Sequence, residues 1–179
     1  MCEPPQLEEL CLRTRQGLMS VIAQAVDQVA AMRRQEGQVI RKDLEGHCNV
    51  IERCADRIKK RSPQVVVDYQ QRLQARVEEL TREAKVHIDA EHLAREVALF
   101  AERSDVAEEL SRLGGHVEQF RQAMDSKEPA GRKLEFIAQE MLREANTLAS
   151  KANDARIAQA VVEIKTAVDR IKEQVQNVE

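Results

Sequence analysis

The sequence predicts an all-α fold, an elongated bundle of about six helices with a very long first helix and coiled-coil-like seams. Three observations predict it. Six glycines and four prolines in 179 residues leave few points where a helix must stop. Aromatic residues make up only 2% of the chain while Ala, Glu, Gln, Arg and Leu abound, so the core has to come from small and aliphatic side chains at helix seams. Apolar residues recur at steps of three and four, and no alternating strand pattern competes with them.

Taken in order, Pro4 and Pro5 precede a helical pattern in which Leu18, Ile22, Ala25, Val29 and Met32 form one stripe. After Gly37 the phase shifts, and Leu44, Cys48, Ile51, Ala55 and Ile58 resume it, giving a helix about 80 Å long at 1.5 Å per residue. Gly37 and Gly46 are the expected bends. Ser62-Pro63 reads as a new start, Ser as N-cap and Pro at the first helical position. The second helix turns Val66, Leu73, Val77, Leu80 and Ala84 inward and lapses near Lys85 to Ile88. Asp89 is the expected cap of a short third helix with Leu93, Val97 and Phe100 on its apolar side. Ser104-Asp105 opens a fourth, with Asp105 and Glu108 in the sense of a capping box and Val106, Leu110, Leu113, Val117, Phe120 and Met124 inward. Gly114 and Gly115 interrupt it, suiting either close packing or a kink. Pro129 stops the loop before a fifth helix from Gly131. The last helix repeats Ile157, Val161, Ile164, Val168, Ile171, Val175 and Val178 in unbroken 4-3 steps, a heptad seam that must bury itself against a helix of this chain or of a second subunit. The chain thus divides into a long N-terminal connecting helix, residues 1–61, and a C-terminal helical domain, residues 62–179.

A net charge of −3 gives no overall affinity for nucleic acid, though it permits a local basic patch. Cys2, Cys11, Cys48 and Cys54 contain no CxxC pair and read as reduced packing residues of a cytoplasmic protein. No apolar run approaches the ~18 residues of a membrane span, and no signal peptide is visible. Gly-rich phosphate loops and GxSxG are absent, and with no strands to seat them, αβ nucleotide-binding and hydrolase folds are excluded.

The candidate chemistry centres on Gly131–Asp154. One face carries Leu134, Ile137, Ala138, Met141, Ala145, Leu148 and Ala152. A second carries Lys133, Phe136, Glu140, Arg143, Glu144, Thr147 and Lys151, edged by Gln139, Asn146 and Ser150. Glu140 and Glu144, four apart, suit a hard divalent cation such as Mg²⁺ or Mn²⁺, or simple neutralisation by Arg143 and Lys151. Glu109, Arg112 and His116 flank an apolar stripe where a cleft between helices would form, and His116 there suits a metal, a proton or a structural role. Glu96 is a potential third carboxylate. His87 and His92, five apart, do not share a helical face, which sets a zinc site aside. Arg132, Lys133, Arg143 and Lys151 suit phosphates. Arg33, Arg34, Arg41, Lys42, Lys59, Lys60 and Arg61 read as solvated surface.

The run GRKLEFIAQEMLREANTLASKAND, the terminal KEQVQNVE, the segment REVALFAERSDVAEELSRL with His116, and MRRQEG at Met32–Gly37 resemble the bacterial YicC/YloC family from about Gln16 onward. The resemblance implies a cytoplasmic, divalent-metal-dependent endoribonuclease acting on RNA, without a small-molecule cofactor or membrane attachment, assembled as a homo-oligomer, hexamer or trimer. In the mechanism this suggests, Glu109, Glu140 and Glu144, with Glu96, hold one Mn²⁺ or Mg²⁺ ion. Arg112, Arg132, Lys133, Arg143 and Lys151 would hold phosphates. His116 would be a ligand or proton carrier, or the general acid or base of a metal-free route through the ribose 2′-hydroxyl. Family members carry a substantial domain ahead of this region, so a fragment or shortened member is expected. Leu142 and Gly114-Gly115 also depart from the family pattern. The alternative reading is a non-catalytic helical oligomerisation or RNA-binding module whose activity needs the N-terminal domain.

Overall fold

The computed structural model describes residues 7–84, 90–126 and 129–176, with side chains from residue 14 to 82 in the first stretch. They form five helices: α1 (Leu7–Ala84), α2 (Ala90–Arg103), α3 (Ala107–Met124), α4 (Gly131–Lys151) and α5 (Ala155–Val175). The all-α expectation holds, with five helices in place of six. The expected cap at Asp89, the lapse near Lys85 to Ile88, and Val178 of the last seam lie outside the described residues.

The difference in number arises at Ser62-Pro63, where α1 runs on with Pro63 inside it. A proline there removes one helical hydrogen bond and crowds the preceding turn, typically costing about 3 kcal/mol. Tertiary contacts override it. Ile58 and Val65, on either side, are both buried, and seven-residue spacing keeps them on one face only if the helix is continuous. Arg61 spans the same point, its Nη2 lying 2.7 Å from Asp68 Oδ2 and 2.8 Å from Asp154 Oδ2. It is therefore an anchor and not solvated surface.

The chain divides into two compact units, Met1–Lys42 and Asp43–Glu179. In the first, Leu18, Ile22, Val29 and Met32 of the expected stripe are exposed, as are Val21, Val26 and Val39. Their period establishes a helix face, but periodicity does not supply a covering partner.

In the second unit, α4 packs against both α3 and α5. Its stripe of Leu134, Ile137, Ala138, Met141, Ala145 and Leu148 is buried, as are Leu113, Val117 and Phe120 of α3. The heptad seam of α5 is buried within this chain from Ile157 to Val175. The α1 segment with Leu44, Cys48, Ile51, Cys54 and Ile58 buries one face, and ion pairs fix it. Arg121 of α3 reaches Glu45 at 2.8 Å and Asn49 at 2.9 Å, and also pairs with Glu52. Arg57 pairs with Glu163 of α5. Cys48 and Cys54 are buried free thiols. Burial pushes Cys48 up to about 12 and also raises Cys54, so both stay protonated packing groups. Helix α2 buries no residue completely, and Phe100 stacks on Tyr69 of α1 at 3.8 Å.

The start of α3 differs from a capping box. Asp105 Oδ1 accepts from the Ala107 N–H at 2.9 Å, while Val106 holds the cap position without a side-chain bond. Asp154 is the strong cap. Its Oδ1 accepts from the N–H groups of Arg156 at 3.0 Å and Ile157 at 3.1 Å. The Arg61 guanidinium, followed by these backbone donors, holds the Asp154 carboxyl below the usual carboxylate range.

Gly114 and Gly115 sit inside α3 with open space where a Cβ would stand, so close packing does not require them. Replacing either by Ala is expected to raise stability by about 0.5–1 kcal/mol, read by urea unfolding. Asp154→Ala is expected to cost about 1–2 kcal/mol, whereas Asp154→Asn keeps a capping oxygen and loses only the ion pair. Because the folded pKa of Asp154 is depressed, the wild-type advantage over Asp154→Asn is full above the unfolded carboxylate value of about 4 and fades as pH falls below it. Unfolding of the two proteins across acid pH checks this, and a constant difference refutes it.

Candidate functional site

The seam between α3 and α4 brings most of the sequence-predicted site residues together. Glu109 of α3 is buried, and its Oε1 accepts from Lys151 Nζ of α4 at 2.7 Å. One turn on, Arg112 lies 4.0 Å from Glu144, also buried, and pairs on its other side with Glu108. The two contacts run in opposite directions along the helices, so α3 and α4 are antiparallel. Continuing that register carries half-buried His116 toward Glu140. No hydrogen bond joins those two among the described residues. Glu140 instead faces Arg143 at 3.7 Å.

The pairing follows from the periodicity of each helix. Glu109 shares the α3 side of Leu113, and Glu144 shares the α4 side of Ala145 and Leu148, so both are drawn to the edge of an apolar seam. A carboxylate taken out of water there needs a cation or a donor. Lys151 supplies it for one oxygen of Glu109. Among the described residues, Glu109 Oε2 is buried without a hydrogen-bond partner. Leaving such an acceptor unmade costs about 1–3 kcal/mol or more, and an exception of this kind marks an ordered water or a functional demand.

Beside the seam, Gln139, Glu140, Arg143, Asn146, Thr147 and Ser150 line an open groove of about 440 Å³. This is the amide and hydroxyl edge anticipated in the sequence. Arg132 and Lys133 are exposed at the start of α4. Glu96 is exposed on α2 and makes no contact with this seam. Among the described residues, no three His, Cys, Asp or Glu side chains converge as a metal site. Lys151 and Arg112 are interleaved with Glu109 and Glu144 along the seam.

Sequence reasoning paired Lys151 with the acids of its own helix and missed its contact with Glu109. The signal was the distance of Lys151 from Glu140, too great for a helix partner. The interhelical anchors Arg57, Arg61 and Arg121 were also missed, since a basic residue on an amphipathic helix looks the same whether or not another helix supplies its acid.

Removing Lys151 leaves Glu109 buried with neither oxygen paired. Lys151→Met is expected to lower stability by about 1–3 kcal/mol, and the double substitution Glu109→Leu/Lys151→Met to cost less than the sum of the singles. A double-mutant cycle by urea unfolding reads the coupling, and strict additivity refutes the pair.

The model of the C-terminal region of YicC-like endoribonucleases matches residues 58–179. A probable endoribonuclease YicC of Clostridioides difficile is 37% identical over 166 residues, covering 90% of this chain and 56% of that protein. One from Haemophilus influenzae is 34% identical over 164 residues, covering 92% of this chain and 56% of that protein. The chain thus spans little more than half the length of these relatives, and it belongs to the YicC-like endoribonuclease family.

Proposed function

We propose that this chain carries the C-terminal part of a site that cleaves RNA phosphodiester bonds, centred on the α3–α4 seam. The observation that carries the reading is Glu109, whose carboxylate is fixed by Lys151 through one oxygen and lacks a protein donor at the other. In this role the Glu109 carboxylate accepts the proton of the attacking hydroxyl, of water or of the ribose 2′ position, relayed to the buried Oε2 through a bridging water. Lys151 orients the carboxylate through their 2.7 Å contact. Arg112, next to Glu144, stabilises charge developing on the phosphate oxygens. Arg132, Lys133 and Arg143 bind flanking phosphates, with Phe136 exposed among them for base stacking. His116 gives a proton to the leaving oxygen.

A divalent ion, Mn²⁺ or Mg²⁺, remains part of the proposal as a cofactor of the whole protein. Glu109, Glu140 and Glu144 would contribute donors from this chain, completed from outside it. Its contribution would be to stabilise phosphate charge.

Assembly is a second reading, favoured by the exposed apolar face of the first unit, Leu18 to Met32. On it the chain forms a homo-oligomer, and cleavage needs parts of the longer relatives that this chain does not match.

Cleavage of a labelled single-stranded RNA by this chain, in Mn²⁺, in Mg²⁺ and in EDTA, tests the proposal. Glu109→Gln is expected to slow cleavage about 100-fold, with smaller losses for Glu140→Gln and Glu144→Gln. A 2′,3′-cyclic phosphate end identifies attack by the 2′-hydroxyl, and a linear phosphate identifies attack by water. Unchanged rates in all three variants sink the site. Absence of cleavage by the wild-type chain, with cleavage by a full-length relative, selects the second reading.

A further inference from the structure

Two grooves adjoin one another along the contact of α1 with α5, on a surface separate from the α3–α4 seam. One, of about 470 Å³, includes Arg53, Cys54, Asp56, Arg57, Lys60 and Glu163 in its lining. The next, of about 440 Å³, shares Arg57 and Lys60 and adds Arg61 and Arg156. Together they present five cations against two acids, on a chain whose overall charge is −3.

The cations differ in their commitments. Arg57 is held by Glu163, and Arg61 by Asp154 and Asp68. These two are fixed in place and largely neutralised. Arg53, Lys60 and Arg156 are exposed and have no ion pair among the described residues. Arg53, Arg57 and Lys60 follow the i, i+4, i+7 spacing of one helix face, a row about 10 Å long at 1.5 Å per residue. Arg156 faces that row from the first turn of α5. A row of cations with a second wall, in which Asp56 stands between Arg53 and Lys60, has the form of a track for a polyanion.

We propose that this α1–α5 groove binds the sugar-phosphate backbone of single-stranded RNA and holds the substrate strand while the α3–α4 seam acts on it. The inference rests on the endoribonuclease reading for the identity of the polyanion. No aromatic side chain lines either groove, so the groove contacts phosphates and does not stack bases, and its binding is independent of sequence.

The test is fluorescence anisotropy of a fluorescein-labelled oligouridine strand titrated with the full chain in EDTA, which suppresses metal-dependent cleavage of the probe. The triple variant Arg53→Gln/Lys60→Gln/Arg156→Gln is compared with Arg72→Gln/Arg76→Gln/Arg170→Gln, which removes the same charge from other exposed positions. Circular dichroism confirms that each stays folded. The groove variant is expected to bind about tenfold more weakly or worse. Its plot of log affinity against log salt should be shallower by about 2, at roughly 0.7 for each phosphate that the groove no longer neutralises. The comparison variant should stay close to wild type. Wild-type affinity in the groove variant, an equal loss in both variants, or no binding by the wild-type chain overturns the proposal. Cleavage in Mn²⁺ is scored separately. A groove variant that binds normally while the wild type cleaves refutes the groove alone. Binding that depends on the groove, by a wild-type chain that cleaves nothing, supports the groove and refutes the catalytic reading.

Discussion

Burial of the α4 stripe positions the polar chemistry of the second unit. Leu134, Ile137, Ala138, Met141, Ala145 and Leu148 are covered by α3 on one side and α5 on the other. The side chains next in angle around α4 then have no choice but to lie at the seam edges. Glu144 and Lys151 meet α3, and Gln139 meets Lys172 of α5 at 2.9 Å. Carboxylates at the edge of this packed stripe, Glu109 and Glu144, are buried and lose much of their water. That loss makes a neighbouring cation necessary and turns an ordinary amphipathic boundary into an alternating row of acids and bases.

Most of this was legible as faces and little of it as neighbours. Steps of three and four located the buried stripes of α3, α4, α5 and the Leu44–Ile58 part of α1, because helical period and burial are directly linked. The same rule grouped Leu18, Ile22, Val29 and Met32 on one face, and these four are exposed. An apolar stripe records a preference for cover, and the cover is a separate fact. Ser62-Pro63 misled for a related reason. Local chemistry favoured a helix start there, but Ile58 and Val65 are buried by one continuous helix, and packing outweighs a single missing backbone bond.

The candidate site shows the same division. The charged face of α4 could be written down from residue numbers alone, as could the Glu109–His116 edge of α3. Joining them required the antiparallel register of the two helices, which depends on loop path and packing. Once that register is known, Lys151 faces Glu109 and Arg112 approaches Glu144, so the four groups neutralise one another in part. Bases interleaved with the acids could not be foreseen from charge type alone, since the partners come from the facing helix.

Charge balance along α1 leads to a parallel conclusion. Its cations near Cys54 looked uniform in sequence, yet the fold separates them by what stands opposite. Arg57 and Arg61 meet the acids of α5 and its cap, and they stitch the helices together. Arg53 and Lys60, on the same helix within two turns, meet none. Neutralising the first pair removes their field from the surface, so any long-range attraction of the groove resides in the second pair with Arg156. An acidic protein that handles a polyanion needs such a local excess, because its total charge opposes the encounter. The anchors that build the α1–α5 contact therefore also determine which neighbouring cations are left to act on a ligand.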